Sequence, residues 1–440
     1  MLSTPTLTRA LAVGGLVVAL TGGAALLPGN DTPALSAGAA AGAEVTSTPG
    51  SDLATQITQL QTHLAAQPKD ARSWAALSLT LTEQARVTAD PALYAKAAST
   101  AEQSMQVQPT DNDLGLAAEA TLASAQHRFT TALHLTQQAL AINPYSAPAL
   151  AIHVDALTEL GRSAAALRAA RAMDAVQPGL SASTRLAYQA ELRGHQTAAR
   201  TLFRKAERDS SNSETTAFVE YHLGELARQR GHFKQALAHY RAAGVALPGD
   251  INAAAGRAAV LAAEGELNKA IRILQGVVAR VPLPQHVIAL GELLQLTGDR
   301  AGARDQYTLV KAMISLAAAN GVRTDLELAT FEADHGDPAA ALTAARQEWN
   351  RRHAPAVADA LAWALHGVGH DRRALSYAHR AVSLGGDPRA WHHLGTIQAA
   401  LGQDNRARTS LHHSLALDHG YPPWQLAQLR ATLHSLGTAP

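Results

Sequence analysis

Glycine and proline recur along this chain with a period near thirty-four residues, and that regularity constrains the fold more than any other feature. Pro144 and Pro178 are 34 residues apart, and so are Gly231 and Gly265. A later series has a spacing of 33 residues: Gly336, Gly369 and Gly402. Gly closes a helix with a left-handed cap, and Pro cannot continue one. The pattern therefore predicts a tandem array of short helices.

The composition supports an all-helical chain. Of 440 residues, 47% are hydrophobic but only 4% are aromatic, so Ala and Leu supply most of the packing between closely spaced helices. Lys and Arg number 37 against 36 Asp and Glu, a balance that gives no basic field for nucleic acid, so we expect no such partner. The absence of Cys excludes disulfides and thiolate metal sites.

One copy of the repeat is especially clear, with small, apolar and helix-ending residues in fixed order: Glu220, Leu223, Gly224, Ala227, Gly231, Phe233, Ala236, Tyr240, Ala243 and Pro248. Gly224 and Ala236 are small where two antiparallel helices touch, and Pro248 stops the second helix. This pattern resembles the tetratricopeptide repeat. The resemblance implies an all-α, right-handed α-solenoid that binds proteins or peptides in a concave groove.

The same register predicts about ten helix-turn-helix repeats over residues 69–420. Residues 52–68 fit a capping helix in front of the array. At the other end, residues 421–440 contain Pro422 and Pro423 followed by a Leu stripe, which predicts a capping helix and tail. Both capping helices would cover the apolar face of a terminal repeat.

The N-terminus has the composition of a targeting segment. Residues 1–27 contain an uncharged apolar run that predicts a signal peptide or a membrane anchor. Residues 28–51 are rich in Ala, Gly, Ser, Thr and Pro and predict a flexible linker. We expect an exported protein, secreted or held in the cell envelope, that touches the membrane only if the segment is uncleaved. An Ala-rich tail on a cytoplasmic protein is the alternative.

No catalytic motif is present in the sequence. There is no Gly-rich phosphate loop, no G-x-S-x-G and no H-E-x-x-H, so we predict no enzyme, no catalytic residues and no cofactor. The chain has 20 His, including the pairs His392-His393 and His412-His413. Neighbouring His on a helix point about 100° apart, so we predict no metal site. A metal-binding or enzymatic protein that uses the His-rich last repeats remains the alternative.

The concave face of the array is the predicted partner-binding site, because first helices stack there into one surface. Lys, Asn and Arg positions that grip acidic chaperone tails in similar domains are mostly Ala, Leu and Thr here, so that clamp is not matched. A structural spacer in the cell envelope is a further alternative. The predicted inner-face residues are Asp155, Arg185, Gln189, Tyr221, Glu225, Arg228, Glu292, Trp363, His366, Arg389 and His392.

Overall fold

The computed structural model describes residues 53–210 and 212–437. These residues form 22 α-helices and one short 3₁₀ segment, Val382–Leu384, and they contain no strand. The predicted signal peptide or anchor (1–27) and the predicted linker (28–51) lie outside the described residues.

Twenty of the helices form ten antiparallel pairs, numbered here as repeats 1 to 10, each with a first and a second helix. In order, the pairs are α2 (Ala71–Thr88) with α3 (Leu93–Val107), α4 (Asp113–Ala125) with α5 (Phe129–Ile142), α6 (Ala147–Glu159) with α7 (Ser163–Val176), α8 (Leu180–Glu191) with α9 (Gln196–Asp209), α10 (Ser213–Gln229) with α11 (Phe233–Ala246), α12 (Ile251–Ala263) with α13 (Leu267–Arg280), α14 (Pro284–Leu296) with α15 (Arg300–Ala319), α16 (Asp325–His335) with α17 (Pro338–Arg351), α18 (Pro355–Gly367) with α19 (Asp371–Ala381), and α20 (Pro388–Ala400) with α21 (Asp404–Leu417). The predicted α-solenoid of about ten repeats is confirmed.

One further helix stands at each end of the array. Helix α1 (Leu53–Ala66) buries Ile57 and Leu64 in the same core as Leu77 of repeat 1. Helix α22 (Pro423–Gly437) packs Leu429 and Leu436 against Leu411 of repeat 10. Apolar surface on the first and last repeats is therefore covered by the chain itself.

Side-chain caps mark where many first helices begin. Asp70 accepts a hydrogen bond from the Ser73 backbone N–H at 3.1 Å, and Asn112 accepts one from the Gly115 backbone N–H at 2.8 Å. Asp387 caps α20 just before a proline in its first turn. These caps satisfy backbone donors that have no partner within the helix.

Within the array, one buried aromatic ring fills the space that two glycines leave on the neighbouring helices. Tyr240 of α11 is 1% exposed and lies between Gly224 of α10 and Gly256 of α12. A Cβ added at Gly224 would stand 2.8 Å from Tyr240 Cδ1, and one at Gly256 would stand 2.6 Å from Tyr240 Cζ. The two glycines thus make room for a ring that packs repeats 5 and 6 together.

The array curves so tightly that it meets itself after six repeats. Arg323, before repeat 8, donates its backbone N–H to the Gln126 carbonyl in the turn of repeat 2 at 3.2 Å. Likewise Gly386, before repeat 10, donates to Leu192 in the turn of repeat 4 at 3.2 Å. We call this contact the seam: hairpin turns of repeats 2–5 against the inter-repeat loops that precede repeats 8–10 and α22.

Charged pairs reinforce the seam. Arg352, before repeat 9, contacts the Glu159 carboxylate of repeat 3 at 2.7 Å and the Glu159 carbonyl at 2.9 Å. Arg228 of repeat 5 lies 3.5 Å from Asp418, before α22. Both arginine side chains are at least nine-tenths buried. Separating one partner of such a pair from the other leaves a buried charge without a partner. The pairs therefore favour a single alignment of the hairpin turns against the loops.

Replacing Gly224 by Ala should destabilise the protein because the new methyl group collides with the buried Tyr240 ring. We expect a loss of about 1 to 3 kcal/mol in the free energy of unfolding. Gly244 of α11 is the control, since an added Cβ there meets nothing within 4 Å, and Gly244→Ala should gain about 1 kcal/mol from helix propensity. Urea unfolding of both variants measures the difference; equal effects would contradict the packing.

Replacing Gly386 by Ala should weaken the seam without touching any hairpin core. An added Cβ would stand 2.6 Å from the Gly194 backbone N and 2.7 Å from the Leu192 carbonyl carbon. Because these are backbone atoms, the turn of repeat 4 and the loop before repeat 10 must move apart. We expect a loss of about 1 to 3 kcal/mol in the free energy of unfolding. Gly276→Ala, at an open helix position, is the control. Thermal unfolding that is identical in both variants would mean that repeats 4 and 10 do not touch.

Candidate functional site

The first helices line the inner side of the array, and the eleven residues predicted for the partner-binding face all lie on or beside them. None of the eleven is fully exposed. Five are buried, namely Arg185, Gln189, Arg228, Glu292 and His392. The other six are half-buried, namely Asp155, Tyr221, Glu225, Trp363, His366 and Arg389. Binding of a partner by these residues stays a prediction, and their surroundings divide them into four groups.

The first group joins repeats 3 and 4. Asp155 accepts two hydrogen bonds from Arg185, at 3.0 Å from Nε and 2.7 Å from Nη2. Arg185 is 1% exposed and also donates to the Ala151 carbonyl at 3.1 Å. Burial raises the pKa of Asp155, while the Arg185 charge lowers it. Gln189 donates to the Thr158 hydroxyl at 2.8 Å, so this group ties one first helix to the next.

The second group lies in repeat 5. Glu225 accepts hydrogen bonds from Arg228 Nη2 at 3.1 Å and from the Tyr240 hydroxyl. Burial would raise the pKa of Glu225, but the Arg228 charge and the Tyr240 hydrogen bond together lower it below its ordinary value. The Tyr221 ring lies beside the Tyr240 ring, with centroids 6.1 Å apart. Glu225 is therefore an ionised carboxylate with fixed donors.

The third group is closed by the C-terminal helix. Glu292 of repeat 7 accepts a hydrogen bond from Gln425 of α22 at 2.9 Å and lies 3.2 Å from His335 Nε2. The Trp424 ring of α22 packs beside the His335 ring, with centroids 4.7 Å apart. The first turn of α22 thus occupies the inner face of repeats 7 and 8, and Glu292 already has a partner from its own chain.

The fourth group joins repeats 8, 9 and 10. Asp334 accepts hydrogen bonds from the Trp363 indole N–H at 2.8 Å and from Arg389 Nη2 at 2.5 Å. The Trp363 ring is stacked between two imidazoles, with centroids 4.1 Å from His393 and 4.9 Å from His366. This aromatic stack runs across two repeats and fixes the orientation of its half-buried members.

The two adjacent histidines of repeat 10 each have one polar side-chain partner. Burial, together with the nearby His393 and Arg389, lowers the pKa of His392 to about 3, and its ring lies 3.3 Å from the Tyr421 hydroxyl. His393 is 2.9 Å from Asp359. Across residues 53–210 and 212–437, no group of three or more His, Cys, Asp or Glu is arranged to hold a metal ion.

Several partners of these residues are not among the residues that the sequence pattern predicts. Asp334, Asp359 and His335 complete the inner-face groups, and Trp424 reaches them from α22. The repeat register gave a signal for Asp334, because it lies 29 residues before its partner Trp363, close to one repeat. It gave none for Trp424, whose contact crosses from the end of the chain to repeat 8.

Glu191, at the end of α8, is not among the eleven residues predicted for the partner-binding face. Burial, and secondarily the Glu225 charge, raises its pKa to about 8. The folded state therefore prefers Glu191 protonated at neutral pH, unlike its neighbour Glu225. Two carboxyl groups with pKa values displaced in opposite directions lie close together on the inner face of repeats 4 and 5.

Ten antiparallel helix pairs, spaced by about 34 residues and stacked into an array, define the architecture. The chain has a tetratricopeptide-type fold. No family model matches it, and no curated protein matches it. None of the helices within residues 53–210 and 212–437 combines the length and the apolar character that crossing a membrane requires.

Solved structures of low sequence identity were found by structural comparison. A tetratricopeptide repeat protein from Parabacteroides merdae is 17% identical, covers 59% of this chain and 99% of its own, and has a TM-score of 0.35. A structure of the APC/C hetero-tetramer Cut9–Hcn1 gives 13% identity, 87% and 90% coverage and a TM-score of 0.39. The type IV pilus biogenesis factor PilW gives 16% identity, 46% and 92% coverage and a TM-score of 0.39.

The raised pKa of Glu191 gives a stability prediction with a definite sign. Between its ordinary value near 4.5 and about 8, the folded state binds more protons than the unfolded state. The Glu191 contribution to stability is therefore complete below pH 4.5 and is lost as pH rises to 8. Glu191→Gln should remove this loss, so the variant should gain stability over the wild type at pH 8 but not at pH 4.5.

Denaturant unfolding at both pH values measures this, with Glu264→Gln at an exposed position as the control. If the stability of the wild type, of Glu191→Gln and of Glu264→Gln depended on pH in the same way, the raised pKa of Glu191 would be contradicted.

Proposed function

We propose that this chain is an exported or membrane-tethered scaffold that binds proteins or peptides on its inner face and does not catalyse a reaction. The observation that carries the proposal is the set of half-buried aromatic and charged side chains held in fixed orientations along stacked first helices. Trp363 is stacked between two imidazoles, and Arg389 is anchored to Asp334. Side chains fixed before binding lose little entropy when a partner arrives.

The residue types on this face favour a protein partner. Tyr, Trp and Arg dominate the binding energy of protein interfaces. Tyr221, Trp363 and Arg389 supply these types, and all three are half-buried, so part of each side chain reaches solvent. The carboxylates of Asp155 and Glu225 lie on the same series of first helices, each paired with an arginine of the chain itself, and a peptide that carries both apolar and polar groups suits this mixed lining.

Export is proposed from the N-terminus. The uncharged run from Ala10 to Leu27 would reach about 27 Å as a helix, close to the hydrocarbon core of about 30 Å. Such a run serves as a signal peptide or as a short anchor. The linker at 28–51 would then hold the repeat array away from the membrane surface.

The test is to express the full-length protein with a C-terminal tag in its native cell, fractionate the cell, and identify proteins that co-purify under mild solubilisation. We expect recovery outside the cytoplasm or with membranes, together with a reproducible protein partner. His366→Ala should reduce the recovered partner, because the half-buried His366 side chain lies on the inner face beside Trp363. His412→Ala, at an exposed position on the second helix of repeat 10, is the matched control.

Each part of the proposal can fail separately. Recovery in the cytoplasm alone would contradict export. A partner retained equally by His366→Ala, His412→Ala and the wild type would contradict the inner face as its site. Loss of the partner from both variants would point to a site that extends over the outer side of repeats 9 and 10 and would contradict the inner face as well.

A further inference from the structure

The seam uses two different edges of the array. The hairpin turns of repeats 3–5 are covered by the loops that precede repeat 9, repeat 10 and α22. A Cβ added at Gly161 would stand 2.8 Å from Ala354 Cα, one at Gly194 would stand 3.6 Å from Gly386 Cα, and one at Gly231 would stand 3.2 Å from His419 Cβ. The seam therefore joins a hairpin-turn edge to an inter-repeat-loop edge.

The hairpin-turn edge continues beyond the seam without a cover. Repeats 6, 7, 9 and 10 end their first helices with the same left-handed glycine, and an added Cβ would meet nothing within 4 Å at any of them: Gly265, Gly298, Gly369 and Gly402. We call this the free turn edge. Its glycines have the same left-handed conformation as those in the covered turns, but no inter-repeat loop packs on them.

The loop edge is free at the opposite end of the array. Before repeat 10, Gly386 is in tight contact with repeat 4, whereas before repeat 4 a Cβ added at Gly179 would meet nothing within 4 Å. The loop before repeat 4 therefore has no hairpin turn packed on Gly179, and the loops before repeats 3 and 6 leave Tyr145 and Val245 exposed. We call these loops, with the adjoining ends of the second helices, the free loop edge.

Exposed apolar residues are concentrated on these two edges. Six large apolar side chains are exposed in the described part of the chain. Four lie on the free loop edge, at or beside the ends of second helices: Ile142 (39% exposed), Tyr145 (64%), Val176 (45%) and Val245 (75%). A fifth, Leu296, is the last residue of α14, directly before the turn that contains Gly298. Exposed apolar patches mark interaction surfaces.

We propose that this protein assembles head to tail, with the free loop edge of one copy docked on the free turn edge of a second copy. The contact repeats between molecules what the seam already makes within one molecule. Because two different edges meet, the interface is heterologous, and an assembly of any length keeps one free edge of each kind. The occupant is a second copy of this chain because only the chain's own hairpin turns are known to fit its loops. This inference does not depend on the scaffold role.

The test is sedimentation velocity of the purified full-length protein over two orders of magnitude in concentration. We expect the wild type to associate as concentration rises. Tyr145→Lys with Val245→Lys places charges on the free loop edge and should weaken association by roughly tenfold or more, as loss of a central apolar contact does in other interfaces. Val87→Lys is the matched control, because Val87 is an exposed apolar residue (38%) at the end of α2 in repeat 1, a repeat that belongs to neither free edge, and it should associate as the wild type does.

A mixing experiment tests the heterologous geometry and does not depend on any single variant. Leu296→Lys with His370→Lys blocks the free turn edge and leaves the free loop edge intact. Neither blocked protein should associate alone, but a mixture of the two should form a pair, since each retains the edge that the other needs. Circular dichroism confirms that the helices are intact in both variants.

Three results would overturn the proposal. One is a wild type that stays monomeric over the whole range. Another is association that is equal in the loop-edge variant and in Val87→Lys, which would place the contact elsewhere, including the N-terminal residues common to all variants. The third is a mixture of the two blocked proteins that remains monomeric.

Discussion

Close contact between neighbouring helices, made possible by Ala and Gly, underlies the rest of this structure. Tyr240 can be buried only because Gly224 and Gly256 have no side chains in its way. Alanines with no exposed surface occupy helix contacts throughout the array, for example Ala236, Ala270 and Ala374. Thin, closely spaced helix pairs stack with a constant offset, and a constant offset gives constant curvature. After six repeats that curvature brings the chain back onto itself.

The sequence predicts the local part of this architecture well. The recurring Gly and Pro residues predict about ten helix pairs, because a left-handed glycine cap and a proline without an N–H both end a helix through local effects on adjacent residues. The seam depends on curvature summed over six repeats, and its hydrogen bonds join distant residues: Gln126 and Arg323 are 197 positions apart, and Glu159 and Arg352 are 193 apart. Arg228 shows the difference, since its helix and its pairing with Glu225 follow from the register, but its contact with Asp418 does not.

The inner face is polar because it is built from paired groups that join one repeat to the next. Asp155 with Arg185 links repeats 3 and 4, and Asp334 with Arg389 links repeats 8 and 10. Such buried pairs add modest net stability but strongly disfavour arrangements that leave one charge alone. They restrict how first helices can slide past each other, which preserves the curvature. The same pairs hold the half-buried Trp363 in the orientation that we propose for partner contact.

The most direct test of a self-contacting array is a disulfide across the seam. The native chain contains no Cys, so Gly231→Cys with His419→Cys introduces one possible pair, at positions where the two Cβ atoms would stand 3.2 Å apart. Disulfides join Cβ atoms that are about 3.5 to 4.5 Å apart, so a shift of a few tenths of an ångström between the turn and the loop permits the bond. Mild oxidation should cross-link this pair within one molecule, while Gly265→Cys with His419→Cys should keep both thiols free. Free thiols in both proteins would show that repeat 5 does not meet the loop before α22.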